Sequence, residues 1–436
     1  MSKLRLAIIG AGPAGIYAAD LILKAERDFE VSIDLFDHLP APYGLVRYGV
    51  APDHPRIKGI INALHEVLDR GDIRFFGNVR YGQDIDLEDL KRHYNAVIFA
   101  TGAIKDAPLA IPGIDLDGSY GAADFVNWYD AHPDVARTWP LNAKEVAVIG
   151  NGNVALDVAR MLVKRPDDLL ATDIPDHVYQ GLRDSPVTDV HVFGRRGPAQ
   201  VKFSPLELRE ALHIDGVQAI VYDEDFQYDQ GSQDAIDSNN QIRVMVKTLE
   251  QLRANPQEPQ ERRLHLHFFA SPVEVVGQDG KVAGLTIEKT KLDGSGGVVA
   301  TGETTSFPIQ AIYRAVGYFG SPVDKIPFDA KSGVIPNEAG RVIGENGESL
   351  QGVYCTGWIK RGPVGLIGHT KADAIETIGN VLQDRDRWWQ PEFSGEDQVV
   401  KTLESRNIDF VDWAKWLKIN SKEKAIGEAL GRERMK

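Results

Sequence analysis

Cysteine is almost absent from this chain. The single one, Cys355, excludes an intrachain disulfide framework, a redox-active cysteine pair and a cysteine-held iron-sulfur cluster. Any electron carrier is therefore a bound cofactor without thiolate ligands, and no metal site is expected. Long apolar runs are also missing: none approaches the ~18 residues that span a bilayer. Between Met1 and the strand-like LRLAIIG there is no room for a signal peptide with its cleavage site, so the expectation is a cytoplasmic protein without integral membrane association. Positive charge is in deficit, with 49 Lys and Arg against 63 Asp and Glu and a formal net charge of -14. Nucleic-acid binding relies on neutralising phosphates, which this balance disfavours. An acidic protein partner would need a local basic patch.

What remains is ordinary for a soluble globular protein, with 43% hydrophobic and 26% charged residues. A length of 436 residues suggests two or three domains at about 150 residues each. The opening alternates strand and helix signals: LRLAIIG, a helix from Pro13 to about Lys24, VSIDLFD, a helix around IKGIINALHEVLDRG, and AVIFATG. KEVAVIG restarts the pattern at Lys144, and VTDVHVFGRRG supplies a matching later strand. Such alternation implies an α/β fold with parallel sheets covered by helices on both faces. Between Asp223 and Gln260 the polar, Asn/Gln/Asp-rich composition predicts an exposed irregular excursion. LHLHFFASPVEVVG to VAGLTIEKTKL predicts antiparallel strands laid against the second domain. NIDFVDWAKWLKI, near the end, reads as an amphipathic surface helix.

Two glycine turns carry the chemistry. GAGPAG places Gly10, Gly12 and Gly15 between a strand and a helix, with Asp37 at the end of the next strand. Gly10 permits the tight turn, Gly12 lets the backbone approach a pyrophosphate, Gly15 allows close helix–strand packing, and Asp37 can accept hydrogen bonds from a ribose. The pyrophosphate then sits on free amides at the helix N-terminus. GNGNVA repeats the device with Gly150, Gly152 and Ala155, but the following strand ends in Arg195 and Arg196. Two guanidinium groups suit a 2′-phosphate and select NADP over NAD. At ~1.5–3 kcal/mol per charged hydrogen bond, the pair could give a preference of roughly a hundred- to ten-thousandfold, less where solvent screens it. Glycine turns also occur for packing alone, and an Arg-Arg pair alone would read as an exposed basic turn. The coincidence of strand, turn, helix and residue beyond favours two dinucleotide sites.

Several longer segments add a resemblance. LPAPYGLVRYGVAPDHPRIK at 39–58, RFFGNV at 74–79, VIGNGNVALDVAR at 148–160, GRRGP at 194–198, LELRE at 206–210 and GWIKRGPVGLIG at 357–368 closely resemble the adrenodoxin reductase family, whose bacterial members are NADPH-ferredoxin reductases. The resemblance covers nearly the whole chain. It implies two Rossmann-like domains, the NADP domain (106–324) inserted into a discontinuous FAD domain (1–105 and 325–436). It assigns FAD to Gly10, Gly12, Ala14, Gly15, Asp37, Leu45, Val79, Trp358, Gly365, Leu366 and Ile367. NADP falls to Asn151, Gly152, Asn153, Val154, Arg195, Arg196 and Glu207, with Gly365 near the nicotinamide. It also places His54 and Glu210 close to the flavin, in orienting the nicotinamide, supplying a proton or docking the partner. Trp358 stands where many two-dinucleotide flavoproteins carry an acid, which matches the adrenodoxin reductase type. LESRNIDFVDWAKWLKI resembles a C-terminal segment found in some members and absent from others.

The implied activity is hydride transfer from NADPH to FAD, followed by single electrons to a ferredoxin or flavodoxin, because a flavin exchanges either one or two electrons. Basic residues gather in the flavin-facing motifs (Arg47, Arg56 and Lys58; Lys360 and Arg361), with Lys202 and Arg209 in the second domain. Some of these are expected to form a docking patch for the acidic carrier. A monomer is expected. Two other readings stay open: an NADPH-dependent flavoprotein for another acceptor, such as a quinone, an oxygenase partner or an amidotransferase subunit, and a non-catalytic NADPH-binding subunit.

Overall fold

The run LRLAII is apolar at nearly every position because its strand is covered on both faces. In the computed structural model, which describes residues 3–294, 297–365 and 367–436, β1 (Lys3–Ile9) is buried from Leu4 onward. It leads through the first glycine turn into α1 (Pro13–Lys24), then β2 (Glu30–Phe36), β3 (Ile73–Phe76) and β4 (Ala96–Phe99). After Asp106 the chain builds a second set: β5 (Ser119–Gly121), β6 (Glu145–Ile149), α2 (Asn153–Val163), β7 (Asp189–Phe193), α3 (Pro205–Leu212) and β8 (Val217–Val221). It continues with α4 (Gln230–Ser238), α5 (Asn240–Ala254), β9 (Arg262–His267), β10 (Ala270–Gln278), β11 (Lys281–Leu292), β12 (Val298–Phe307) and β13 (Ala311–Arg314). The chain then returns with β14 (Asn337–Glu338), β15 (Arg341–Ile343), β16 (Ser349–Cys355), α6 (Trp358–Arg361), α7 (Ile367–Gln383) and α8 (Trp413–Ala429).

Contacts divide these elements into two units. One comprises Met1–Val50, His54–Lys105 and Tyr318–Met435; the other comprises Ala51–Asp53, Asp106–Gly317 and Lys436. The return crossing at Gly317/Tyr318 precedes the 324/325 division read from the sequence.

The first unit holds a seven-stranded sheet in the order β14-β15-β16-β4-β1-β2-β3, parallel from β16 to β3. Because β1 feeds β2 on one side and pairs β4 on the other, the order reverses at β1. The carboxyl ends there form the crevice in which such sheets bind ligands. Alternation along β1 sends Leu4, Leu6 and Ile8 into the core beneath α1, and Ala7 and Ile9 into the core on the opposite face.

The second unit repeats the plan with a parallel sheet in the order β5-β13-β6-β7-β9-β8. Val146 and Val148 pack toward α2, while Ala147 and Ile149 pack toward the separate antiparallel sheet β10-β11-β12. Both units are thus Rossmann-like α/β layers.

Two segments depart from the sequence reading. The stretch 223–260 is not irregular: Asn239 caps α5 by accepting from the Gln241 and Ile242 amides, and Met245, Val246, Leu249 and Leu252 form its buried stripe. The polar composition belongs to the solvent face of an amphipathic helix. LHLHF is a parallel strand of the main sheet, β9, and antiparallel pairing begins only with β10 and β11. The tail helix α8 lies on the surface as expected, anchored by Trp416, which is fully buried against Tyr43 at a ring separation of 6.0 Å.

Candidate functional site

In both units the first glycine of the turn is required by its neighbour. Gly10 has φ +112°, and a Cβ there would lie 2.4 Å from the Ala100 carbonyl oxygen beyond β4. Gly150 has φ +145°, and its Cβ would lie 2.2 Å from the Ala315 carbonyl oxygen beyond β13. The turns are also tied alike to the next strand, by Gly10 N–H to Phe36 O at 2.8 Å and Gly150 N–H to Phe193 O at 3.0 Å. The helices after these turns start without a side-chain cap, at Gly12 with Pro13 next and at Gly152. Elsewhere Asp86, Ser204, Asp229, Asn239 and Asp412 cap their helices. The first turns of α1 and α2 are thus without a capping side chain, as are other helices such as those starting after Gly59 and Pro175, and a glycine turn leading into such an end suits a phosphate.

The matched registers show what distinguishes the two turns. Phe36 and Phe193 are equivalent, so Asp37 corresponds to Gly194. Asp37 is buried and accepts from the Ala11 amide at 2.8 Å and the Leu39 amide at 2.9 Å, fixing the first turn. Gly194 has no side chain, and a Cβ there would lie 3.1 Å from the Asn151 Cβ. The acid is deleted and two arginines come next. Arg195 is exposed, Arg196 half-buried, and neither has a carboxylate partner among the described residues. Arg196 Nε is buried without a hydrogen-bond acceptor. In a chain this acidic, two guanidinium groups without a carboxylate partner beside a glycine turn of this type suit an anion.

Around the first turn the remaining residues assemble within one unit. The Val79 amide donates to the Asp37 carbonyl at 2.9 Å. Tyr43, at φ 84°, donates its amide to Ala11 O at 2.8 Å, which sets Gly44 against Gly12 and leads into Leu45. Gly357, at φ +76°, sits where a Cβ would lie 2.6 Å from the Ala14 Cβ, which sets Trp358 beside α1. Gly365, at φ +83°, is exposed in the loop before α7, which begins at Ile367; Leu366 lies outside the described residues. In the second unit the Asn151 carbonyl accepts from the Lys202 amide at 2.9 Å, and Asn153 Oδ1 accepts from the Ser204 amide at 2.8 Å. These bonds fasten the glycine turn and the first residue of α2 to the segment before α3, and Val154 follows in the helix.

Known proteins share this plan. A family model described as "Pyridine nucleotide-disulphide oxidoreductase" matches residues 4–185. The chain is 41% identical to NADPH-ferredoxin reductase FprA of Mycobacterium tuberculosis, covering all of this chain and 97% of that protein. It is 38% identical to the mitochondrial NADPH:adrenodoxin oxidoreductase of Arabidopsis thaliana, covering 97% and 91%. The chain belongs to this reductase family. Among solved structures, Mycobacterium tuberculosis FprA in complex with NADPH superposes with a TM-score of 0.93 at 39% identity, covering 100% of this chain and 97% of that one.

The disulphide chemistry in the family model's description has no counterpart here. Cys355 is buried, and burial pushes its thiol up to about 12, so it stays protonated.

Other expected residues fall into different surroundings. Glu207 is buried and accepts from Arg160 at 2.9 Å. Arg160 also donates to Asp53 at 3.0 and 3.2 Å and to Asp157 at 3.0 Å, with Glu210 at 3.7 Å. Glu210 is exposed and lines a cleft of about 680 Å³ with Asp53, Lys164, Arg209 and His213. His54, in the first unit, is buried, and its carbonyl accepts from the Ile57 and Lys58 amides, each at 3.1 Å.

The cations expected to supply a docking patch divide into buried and accessible ones. Arg47, Lys58 and Lys360 are all buried. Arg47 is held bidentately by Glu423 of α8 at 2.6 and 3.0 Å, and Lys360 is paired with Asp373 and Glu376. A residue's charge in the sequence does not reveal a distant carboxylate that neutralises it. Arg56 is exposed and Arg361 half-buried in the first unit, and Lys202 and Arg209 are exposed in the second. Sequence reasoning does not single out Gly194, Arg160 or Asp373; of these only Gly194 carries a visible signal, as the glycine before the arginine pair.

Proposed function

We propose that the protein is an FAD-dependent NADPH:ferredoxin oxidoreductase, with FAD on the first unit and NADP on the second. The observation that carries this reading is the exchange of Asp37 for Gly194, Arg195 and Arg196 at matched positions of two otherwise equivalent turns. The family names support it independently. Uncapped helix starts and glycines at the points of closest approach fit a pyrophosphate in each unit.

When bound, FAD supplies the conversion between hydride from NADPH and single electrons for an iron-sulfur carrier. The chain's residues bind and orient. In the first unit, Gly10, Gly12, Ala14 and Gly15 shape the turn, and Asp37 fixes it while offering a carboxylate to a ribose. Leu45, Val79, Trp358, Gly365 and Ile367 are the remaining flavin residues of this unit, with Leu366 outside the described residues. In the second, Asn151, Gly152, Asn153 and Val154 present backbone to the NADP pyrophosphate, and Arg195 and Arg196 take the 2′-phosphate. Glu207 acts behind them by neutralising Arg160. Glu210, a solvent-accessible carboxylate, and His54 are candidates for orienting the nicotinamide or moving a proton. The acidic carrier, a ferredoxin or flavodoxin, is steered by exposed cations such as Arg56, Lys202 and Arg209. In this reading the protein works in the cytoplasm as a monomer.

The test is anaerobic mixing of the purified yellow protein with NADPH, followed by a challenge with ferredoxins from the same organism. Bleaching by NADPH and reduction of a ferredoxin are expected. A colourless protein, or one not bleached, would support the non-catalytic alternative; bleaching with failure on every ferredoxin would point to another acceptor.

A further inference from the structure

Resting on the flavin reading of the first unit, we infer that Asp373 and its ion-pair partner Lys360 are positioning residues for the bound flavin, acting through the 356–367 segment rather than by contact with it. Neither is expected to have this role from the sequence, where Lys360 reads as a surface cation.

The segment is difficult to hold in place by itself. It leaves β16 at Thr356, whose amide donates to Phe99 O at 2.9 Å, and passes Gly357, Gly362 and Gly365 at φ +76°, +80° and +83°. Three left-handed glycines within nine residues give the unfolded chain many conformations and the loop little intrinsic preference. α6, between the first two, is only four residues long. Trp358, Gly365 and Ile367 are the described flavin candidates on this segment, so their placement depends on what pins it.

One carboxylate does so. Asp373, in the second turn of α7, has its side chain only 7% exposed. Its Oδ2 accepts from the Gly357 amide and from Thr356 Oγ1, the latter at 3.2 Å. Its Oδ1 faces Lys360 Nζ at 2.9 Å, with Arg361 Nε at 3.8 Å. Lys360, 5% exposed, also donates to Glu376 and lies 3.3 Å from Thr377 Oγ1, which in turn donates to Cys355 O at 3.0 Å. Strand end, turn and short helix are thus all fastened to α7, whose N-terminus closes the other end of the same loop. The glycine at 357 is also the residue pressed against Ala14 of α1, so the hydrogen bond from its N–H to Asp373 sets the spacing between two walls of the flavin site.

The chemistry demands a carboxylate. Both oxygens of Asp373 face donors, so an amide at this position must turn its NH₂ toward either the Lys360 ammonium or the Gly357 N–H. Asp373→Asn therefore breaks one side of the clamp while preserving volume. Lys360→Met removes the cation and leaves the carboxylate to the backbone and Thr356.

The experiment measures FAD affinity by apo-protein titration, the midpoint potential of the bound flavin, and folding by thermal denaturation, in wild type and both variants. Asp373→Asn is expected to weaken FAD binding about tenfold or more, as loss of a charge-assisted hydrogen bond does, and to shift the flavin potential and visible band shape in the protein that still binds. Lys360→Met should shift the potential in the same direction with a smaller loss of affinity. NADPH affinity, which resides in the other unit, should be unchanged in both. Variants that are merely less heat-stable, with wild-type FAD affinity and potential, would overturn the inference. A wild type that binds no flavin would overturn the reading on which it rests.

Discussion

Arg160 donates a hydrogen bond to Glu207 at 2.9 Å inside the second unit, where the arginine side chain is only 1% exposed. Burial alone would favour the neutral form, but Asp157, Asp53 and Glu207 hold the guanidinium far more basic than usual. Replacing Arg160 with methionine removes the buried cation that these carboxylates share, although Asp53 keeps Lys164 at 3.3 Å. The expected cost is about 3–5 kcal/mol in chemical denaturation. A loss below about 1 kcal/mol would mean that water reaches the cluster.

Replacing Arg195 and Arg196 with leucine should raise the KM for NADPH by roughly a hundredfold or more and leave use of NADH nearly unchanged. FAD content should not fall. Loss of the yellow colour would mean that the two turns hold the opposite ligands.

Gly152→Ala separates binding from folding. A Cβ at Gly152 meets nothing within 4 Å, so the melting temperature should stay close to that of wild type. If the NADP pyrophosphate approaches this backbone, the added methyl takes its space and NADPH affinity falls about tenfold or more. Unchanged NADPH binding would place the phosphate elsewhere.

The second unit carries a buried histidine stack on β7 and β9, with His191 Nδ1 3.0 Å from His267 Nε2 and the His191 and His265 rings 4.2 Å apart. Burial lowers all three, His191 to about 4 and His267 to about 2. They are neutral in the fold, whereas an unfolded histidine titrates near about 6.5, so below that pH the unfolded chain binds protons the native one does not. Stability is therefore full above about pH 6.5 and falls as the pH drops toward about 4, with a slope of up to about 1.4 kcal/mol per pH unit for each histidine. Melting curves of His191→Phe/His267→Phe across this range should be flatter than those of wild type. Equal slopes would show that the stack is solvated.

Docking and burial are separable as well. Arg56→Glu and Lys202→Glu should slow ferredoxin reduction at low ionic strength, with the difference vanishing in high salt. Arg47→Leu should instead destabilise the protein, because Glu423 of α8 loses its buried bidentate partner and keeps the longer 3.5 Å pair with Arg434. If Arg47→Leu reproduced the salt dependence of Arg56→Glu, Arg47 would be a docking residue after all.

Much of the architecture is legible because it arises from local periodicity. An apolar strand, a glycine turn and a helix occur in order at residues 4–24 and again at 145–163, and each contributes its strand to the parallel sheet of its unit. α5 escapes detection because one buried stripe of four residues is diluted among polar ones. Arg47 and Lys360 read wrongly as surface cations because their partners lie 376 and 13 residues away, at Glu423 and Asp373.

By itself, the sequence determined the number of dinucleotide turns, the acid beyond one and the arginines beyond the other, and the absence of thiol chemistry. These are properties of residue type at fixed short spacing, where backbone geometry leaves little choice. The tertiary structure decided which charges are available. Its register aligned Asp37 with Gly194, and its packing gave Asp373 to the loop around Trp358 and Arg160 to a set of buried carboxylates. Whether a charged side chain meets water or a counter-ion depends on which distant segments fold against it, and no local spacing encodes that.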